Sequence, residues 1–277
     1  MKKNERAAAI VRTIVVSLIA VLFVVPLVWM VLSSLKTAPE VFARPFHWLP
    51  ARVQWQNYAT VWMNEEASML RAFANTLYIA LFSIVGQMFI SSLAAYSFAK
   101  INFKGKQVVF MLFLSSMMVP SQLTIIPRFM LFKTIGLYNN LWAIILPAFF
   151  GATSIFMLRQ FYMGLPNDLI EAAKIDGAGH LRIFLRIMLP LTKAALMSLI
   201  ILAFISSWNE YMAPLIFLVK KELYTVSQNI QWYMLDEFKE HNLTMAAATS
   251  AIVPVVILFI VGQKYFVEGI ATSGVKG

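Results

Sequence analysis

Cysteine is absent from these 277 residues, and histidine occurs three times. The first absence excludes disulfides, thiolate metal sites and thiol nucleophiles. His47, His180 and His241 lie far apart, in three different loops, with no further ligands near them, so no metal site is expected. Charge is scarce too: 13% of residues are Asp, Glu, Lys or Arg, against about a quarter in an ordinary soluble domain. A phosphate-binding GxxxxGK[ST] loop is missing, because Gly105-Lys106 lacks both the upstream glycine and a following Ser or Thr. There is also no heptad repeat, low-complexity tract or internal duplication.

What fills the chain is apolar: 60% of residues are hydrophobic. A single soluble core cannot hide that much, because a chain of this length keeps roughly a quarter of its surface exposed. Lipid is the expected solvent. A net charge of +10 could point to nucleic acid. No Lys/Arg run exceeds two residues, however, and membrane proteins collect basic residues on cytoplasmic loops. No nucleic-acid partner is expected.

A spanning helix needs about 20 apolar residues. Six stretches qualify: Ile10–Leu32, Ala72–Phe98, Val108–Ile126, Leu141–Phe161, Leu191–Val219 and Met245–Phe266. The expectation is an all-α integral membrane protein with six transmembrane helices. Pro26, Pro120, Pro147, Pro214 and Pro254 fall inside them, tolerable where neighbouring helices satisfy the freed carbonyls. The first stretch has a basic leader (Lys2, Lys3, Arg6, Arg12) but exceeds the apolar length of about 7–15 residues of a signal peptide, and reads as an uncleaved helix.

Orientation follows from loop charge. With the N-terminus inside, cytoplasmic segments hold that leader, then Lys100, Lys104 and Lys106, then Arg159, Lys174, Arg182, Arg186 and Lys193, and finally Lys264 and Lys276. External segments hold fewer basic residues and most of the acids, among them Glu65, Glu66, Asp236, Glu237 and Glu240. Both termini are therefore expected inside. Residues 1–70 read as an appendage: a cytoplasmic segment, a first helix and an external loop rich in Trp, Phe and Pro that is expected to fold back on the membrane face. Residues 71–266 read as a five-helix core and 267–277 as a cytoplasmic tail.

The cytoplasmic connector 164–190, GLPNDLIEAAKIDGAGHLRIFLRIMLP, is longer than antiparallel neighbours need. Asp168 and Glu171 have capping-box spacing, Leu169–Asp176 makes about two helical turns, and Gly177 is placed to end them in a left-handed cap. A second short helix, His180–Met188, leads to Pro190. Ala172 and Ala173 keep the first helix slim and Glu171 adds a charge beside it. Such a helix suits insertion into a protein cleft, or lies as an amphipathic turn on lipid headgroups.

Glu171-Ala172-Ala173, Gly177, Ile187, Leu189 and Pro190 match EAA-x3-G-x9-I-x-LP at every defined position. The connector thus resembles the EAA loop of ABC importer permeases. Ala194 departs from the proline common in that family. Pro120 to Pro147, Trp208-Asn209-Glu210-Tyr211 with Pro214-Leu215, and the ending Gly269 to Gly277 resemble the carbohydrate branch, in particular the smaller permease of maltose-type importers. Glu268 and Ser273 depart from its tail, so little carries over to Lys276 and Gly277.

The resemblance implies a type I ABC importer permease fold and an ATPase-coupling role for Glu171, Ala172, Ala173, Asp176, Gly177, Ile187 and Pro190. It also implies four kinds of partner: a second, homologous permease, two ATP-binding cassette subunits, an external solute-binding protein and the bilayer. ATP and Mg would sit on the cassette subunits. No cofactor is expected on this chain, and no covalent chemistry. A permease for sugar phosphates, amino acids or peptides is the rival within the class. An ion-coupled secondary transporter leaves the EAA loop unexplained, and an intramembrane enzyme lacks a nucleophile–base pair or metal set.

Glu210 is the only acid inside an expected span, and such residues are functional candidates. Counting from Lys220 at about 1.5 Å per residue puts it about 15 Å deep, provided that the helix is continuous. Leu191–Val219 is too long for one upright span, and is expected to tilt or to break near Pro214. Sugar hydroxyls could donate to Glu210 and Asn209, with Trp208 or Tyr211 against a pyranose face. Alternatively Glu210 is structurally paired within an aromatic belt. Asn75 and Gln122 are further candidates, as path residues or as interhelical hydrogen-bond partners.

Overall fold

The computed structural model describes residues 2–235 and 240–274, with side chains for 8–234 and 240–263. Asp236, Glu237, Lys239, Lys276 and Gly277 lie outside the described residues, as do the side chains of Lys2, Lys3, Arg6, Lys264, Glu268 and Ser273. The described chain is helical and contains no strand. In order the helices are α1 (Lys2–Ser33), α2 (Ala38–Val41), α3 (Gln56–Met63), α4 (Met69–Lys100), α5 (Lys106–Ser116), α6 (Ile125–Thr134), α7 (Trp142–Ala148), α8 (Ala152–Met163), α9 (Asp168–Ile175), α10 (His180–Ile183), α11 (Leu189–Leu191), α12 (Lys193–Trp208), α13 (Met212–Phe217), α14 (Val226–Leu235) and α15 (His241–Gly274).

Among the described residues four stretches are long and apolar enough to cross a membrane: Ala8–Ser33, Met69–Lys100, Trp142–Met163 (α7 with α8) and His241–Gln263. Two more qualify if each bent pair is one span. Lys106–Ser116 meets Ser121–Thr134 at 90°, and His180–Leu191 meets Lys193–Trp208 at 77°.

Proline sets where the third and fifth expected spans break. A proline in a helix removes the bond to the carbonyl four residues back and clashes with it. Pro120 looks back to Ser116, where α5 ends. Pro214 looks back to Glu210, and the chain leaves the helix at Asn209–Tyr211 before α13 resumes. The break therefore lies upstream of Pro214, which occupies the first turn of α13, where its missing N–H costs nothing. Pro190 looks back to Arg186, inside a π-helical turn, Phe184–Met188, that absorbs the irregularity.

The chain divides into two compact units. The first comprises Met1–Leu70 and Asn229–Val253. Along α1 the apolar residues are exposed on all sides, as a helix bathed in lipid requires. The loop that follows is organised by buried Asn57, whose Nδ2 donates to the carbonyls of Ser34 and Lys36, both at 2.8 Å, while its Oδ1 accepts from Asn242 Nδ2 at 3.0 Å. Tyr233 Oη and Asn229 Nδ2 both donate to the Ala67 carbonyl. Hydrogen bonds from the Thr37 backbone N–H and then the Thr37 hydroxyl hold the Glu40 carboxyl below the usual carboxylate range.

The second unit comprises Arg71–Gln228 and Pro254–Gly277. One of its cores joins α4, α5 and α8 to the segment 170–188, with Tyr96, Leu158, Tyr162, Ile183, Phe184 and Met188 all nearly inaccessible. Another gathers Ile79, Phe132, Ala143, Ile145 and Phe217. Gly86 on α4 lets the Phe149 ring approach so closely that a Cβ there would lie 2.2 Å from it. Small residues serve such contacts in membranes. Gly86→Ala is expected to destabilise the detergent-solubilised protein by about 1–3 kcal/mol. A melting temperature equal to the parent's would show that the ring moves aside freely.

Candidate functional site

The connector is built into the second unit rather than hung from it. α9 starts at Asp168 with Asn167 as its N-cap, whose carbonyl accepts from Ile170 N at 2.8 Å and Glu171 N at 3.1 Å. The expected Asp168–Glu171 capping box does not form: Asp168 is already inside the first turn, and no side chain caps the helix. Both acids instead sit at the positive end of the helix.

The C-terminus follows the sequence expectation. Gly177 has φ +77°, the Gly177 N–H donates to Lys174 O at 3.0 Å, and the Ala178 N–H donates to Ala173 O at 2.9 Å. These are the two bonds of a Schellman cap. Asp176 is the last residue before the reversal, its N–H on Ala172 O at 3.1 Å.

The two alanines differ in surroundings. Ala173 is buried with Ile170 in the core that also holds Phe184, so its small side chain lets α9 sit close to the unit beneath it. Glu171 and Ala172 are exposed. Ile187 is half-buried against the same core and Pro190 is exposed.

Polar contacts lock the segment further. Lys100, in the last turn of α4, donates from Nζ to Leu165 O and Asn167 Oδ1, both at 2.7 Å. Tyr96 Oη and His180 Nδ1 lie 3.0 Å apart, and the Arg159 guanidinium rests 4.0 Å from the centre of the Phe110 ring. The segment is thereby fastened to the larger unit, and its exposed side bears Glu171, Ala172 and, one turn on, Ile175.

The other candidate region is a cavity of about 460 Å³ in the second unit. Both proline breaks open onto it: Ser121 and Gln122 follow Pro120, while Ser206, Ser207 and Glu210 precede Pro214. Irregular backbone at membrane depth is tolerated where it lines a cavity. Glu210 Oε1 accepts from the Ala213 N–H at 3.0 Å, closing the first turn of α13. The chain that follows α13 is fixed by Asn139, whose Oδ1 accepts from Val219 N at 2.8 Å and Lys220 N at 3.1 Å. Since the chain is non-helical at Asn209–Tyr211, the depth of Glu210 does not follow from counting at helical rise.

Of the six path candidates the structure brings Glu210 and Gln122 together on this cavity. Trp208 is buried, stacked on Phe204 at 5.4 Å and edge-on to Phe73 at 5.3 Å. Asn209 Nδ2 donates back to Ile205 O at 2.8 Å, capping α12. Asn75 Nδ2 donates to Glu222 O at 2.8 Å and Tyr224 O at 3.1 Å, pinning the segment before α14. Trp208, Asn209 and Asn75 are thus taken up by local structure, and Tyr211 does not line the cavity.

Six polar liners are not among the sequence candidates: Ser83, Gln87, Ser121, Arg128, Ser206 and Ser207. Arg128 reads as an external loop charge because it lies two residues beyond the third apolar stretch. Ser83 and Gln87 were findable, since they stand four residues apart on one helix and so share a face.

Helices long and apolar enough to cross a membrane, a connector fastened to the larger unit and a polar cavity within that unit are the make-up of a membrane transport subunit. The chain belongs to the family described as binding-protein-dependent transport system inner membrane component, whose model matches residues 87–272. It is 33% identical to the arabinooligosaccharides transport system permease protein AraQ of Bacillus subtilis (strain 168), over 96% of this chain and 95% of that one. It is 30% identical to the sn-glycerol-3-phosphate transport system permease protein UgpE of Pectobacterium atrosepticum, over 94% of each. The fold matches a chain from the crystal structure of a bacterial ABC transporter involved in the import of the acidic polysaccharide alginate. That match has TM-score 0.84 and 23% identity, over 95% of this chain and 98% of the other. The chain is accordingly a permease subunit with an ABC importer permease fold.

Proposed function

We propose that this permease serves an ATP-driven importer of a sugar or oligosaccharide in the bacterial cytoplasmic membrane, with six spans and both termini in the cytoplasm. Residues 71–266 form the transport core, 1–70 an appended helix and external loop, and 267–277 a cytoplasmic tail. A second, homologous permease completes the pathway, two cassette subunits bind and hydrolyse ATP with Mg, and an external binding protein delivers the solute.

The observation that carries this reading is the Gly177-terminated α9, fastened to the larger unit while Glu171 and Ala172 stay bare. A loose turn on lipid headgroups has no need of that fastening; a lever does. In this reading Glu171 and Ala172 meet the cassette, Asp176 and Gly177 set the turn, and Ala173, Ile187 and Pro190 hold the lever to the helices it moves. Closure of the cassette dimer displaces the lever as a rigid body and turns the cavity from inward- to outward-facing.

The likeness to the arabinooligosaccharide permease favours sugars. A phosphorylated solute is the second reading, favoured by the likeness to UgpE and by Arg128 on the cavity. The test is uptake into vesicles holding the complete importer, with ATP on the cassette side and the binding protein outside. Accumulation is expected only with ATP and all subunits. Solute accumulation by this chain alone would refute the coupled reading.

A further inference from the structure

Within the cavity the two ionic groups have opposite sign. Arg128 stands on α6, its guanidinium 4.9 Å from the centre of the Phe217 ring, and its Nε is buried with no hydrogen-bond partner among the described residues. Glu210 stands across the break before α13, with one oxygen engaged by Ala213 N–H. The Ser83 hydroxyl is likewise buried and unpartnered among the described residues, on a residue only 3% exposed. Gln87, another liner, donates from Nε2 to Ser154 Oγ at 3.0 Å. Both of those unpartnered atoms are enclosed by protein, so what the cavity offers a solute is the pair of opposite charges on a wall that carries serine and glutamine side chains.

From this juxtaposition we infer that the cavity is a solute subsite for an uncharged polyhydroxyl compound, with the Arg128 guanidinium donating to its oxygens and Glu210 accepting from its hydroxyls. An anion gains from Arg128 but loses against Glu210, and a cation the reverse. A neutral sugar offers acceptors and donors at once and opposes neither charge. The subsite thereby selects neutral sugars over phosphorylated or acidic ones. This inference rests on the sugar-import reading.

The natural absence of cysteine makes the site testable. Ser206 lines the cavity and is exposed, so Ser206→Cys puts one thiol of this chain on its wall. In the reconstituted complete importer, modification by a cationic and an anionic methanethiosulfonate is followed by the mass of this chain. The two reagents are expected to react within about threefold of each other. Glu210→Gln, which can still accept the Ala213 N–H, should shift their ratio about three- to tenfold toward the anionic reagent, and Arg128→Gln as far toward the cationic one.

Arabinotriose, raffinose or maltotriose should slow the labelling, and sn-glycerol-3-phosphate at the same concentration should not. A ratio indifferent to Glu210→Gln, no protection by any of the sugars, or equal protection by sn-glycerol-3-phosphate overturns the proposal. If Arg128→Gln does not assemble, the isosteric Glu210→Gln decides the charge balance. Uptake by the unsubstituted importer is scored separately. No ATP-dependent uptake of these sugars sinks the import reading, while the reagent ratios still decide the cavity's charge.

Discussion

Gly177→Val is expected to abolish ATP-driven uptake while leaving the chain in the membrane. At φ +77° the backbone is in the left-handed region, and nothing lies within 4 Å of the position of an added Cβ. The expected loss therefore comes from the backbone, since an added Cβ meets nothing. A β-branched residue in that region costs of order 1–3 kcal/mol, enough to undo the two bonds on Lys174 O and Ala173 O and unwind the end of α9. Expected is continued ATP hydrolysis by the complete importer with uptake reduced at least about tenfold. Gly177→Asn, which tolerates the left-handed region, should fall between the two. Normal uptake in the valine variant would remove the lever from the mechanism.

Phe184→Ala is expected to give the largest loss of stability. The ring is 1% exposed, 5.4 Å from that of Tyr96, and sits where α10 passes into the π-helical turn. Its removal leaves a void that the packed helices cannot fill, at a cost of about 3–5 kcal/mol. The melting temperature of the solubilised protein should drop and ATP hydrolysis should lose its dependence on solute. A melting curve superimposable on the parent's would mean that the 170–188 segment is not anchored through this ring.

Much of this was legible in the residues. The apolar stretches, the glycine that closes α9 and the EAA pattern are local signals, and local signals survive folding. What failed to show was which way a side chain turns. Ala172 and Ala173 are neighbours with the same chemistry, and only the helical repeat separates them: Ala173 lies three residues after Ile170, on the buried face, and Ala172 does not.

The Asp168–Glu171 pair misled because capping spacing carries no information about where the helix begins, and it begins at Asp168 itself. The proline at 214 was visible, but its effect falls four residues earlier, on the carbonyl of Glu210. Arg128 reads as an external loop charge because it stands just past an apolar run, whereas the tertiary fold turns it onto the cavity.

The bonds from Lys100 to Leu165 O and Asn167 Oδ1 bear on attempts to swap parts between related importers. A graft of residues 164–190 from this chain into another permease would leave behind the amine that holds the segment's start, since that amine belongs to a helix 60-odd residues earlier in the chain. The transplantable piece is the segment together with the last turn of α4, and chimaeras cut at the segment's own borders should pair poorly with either parent's motor.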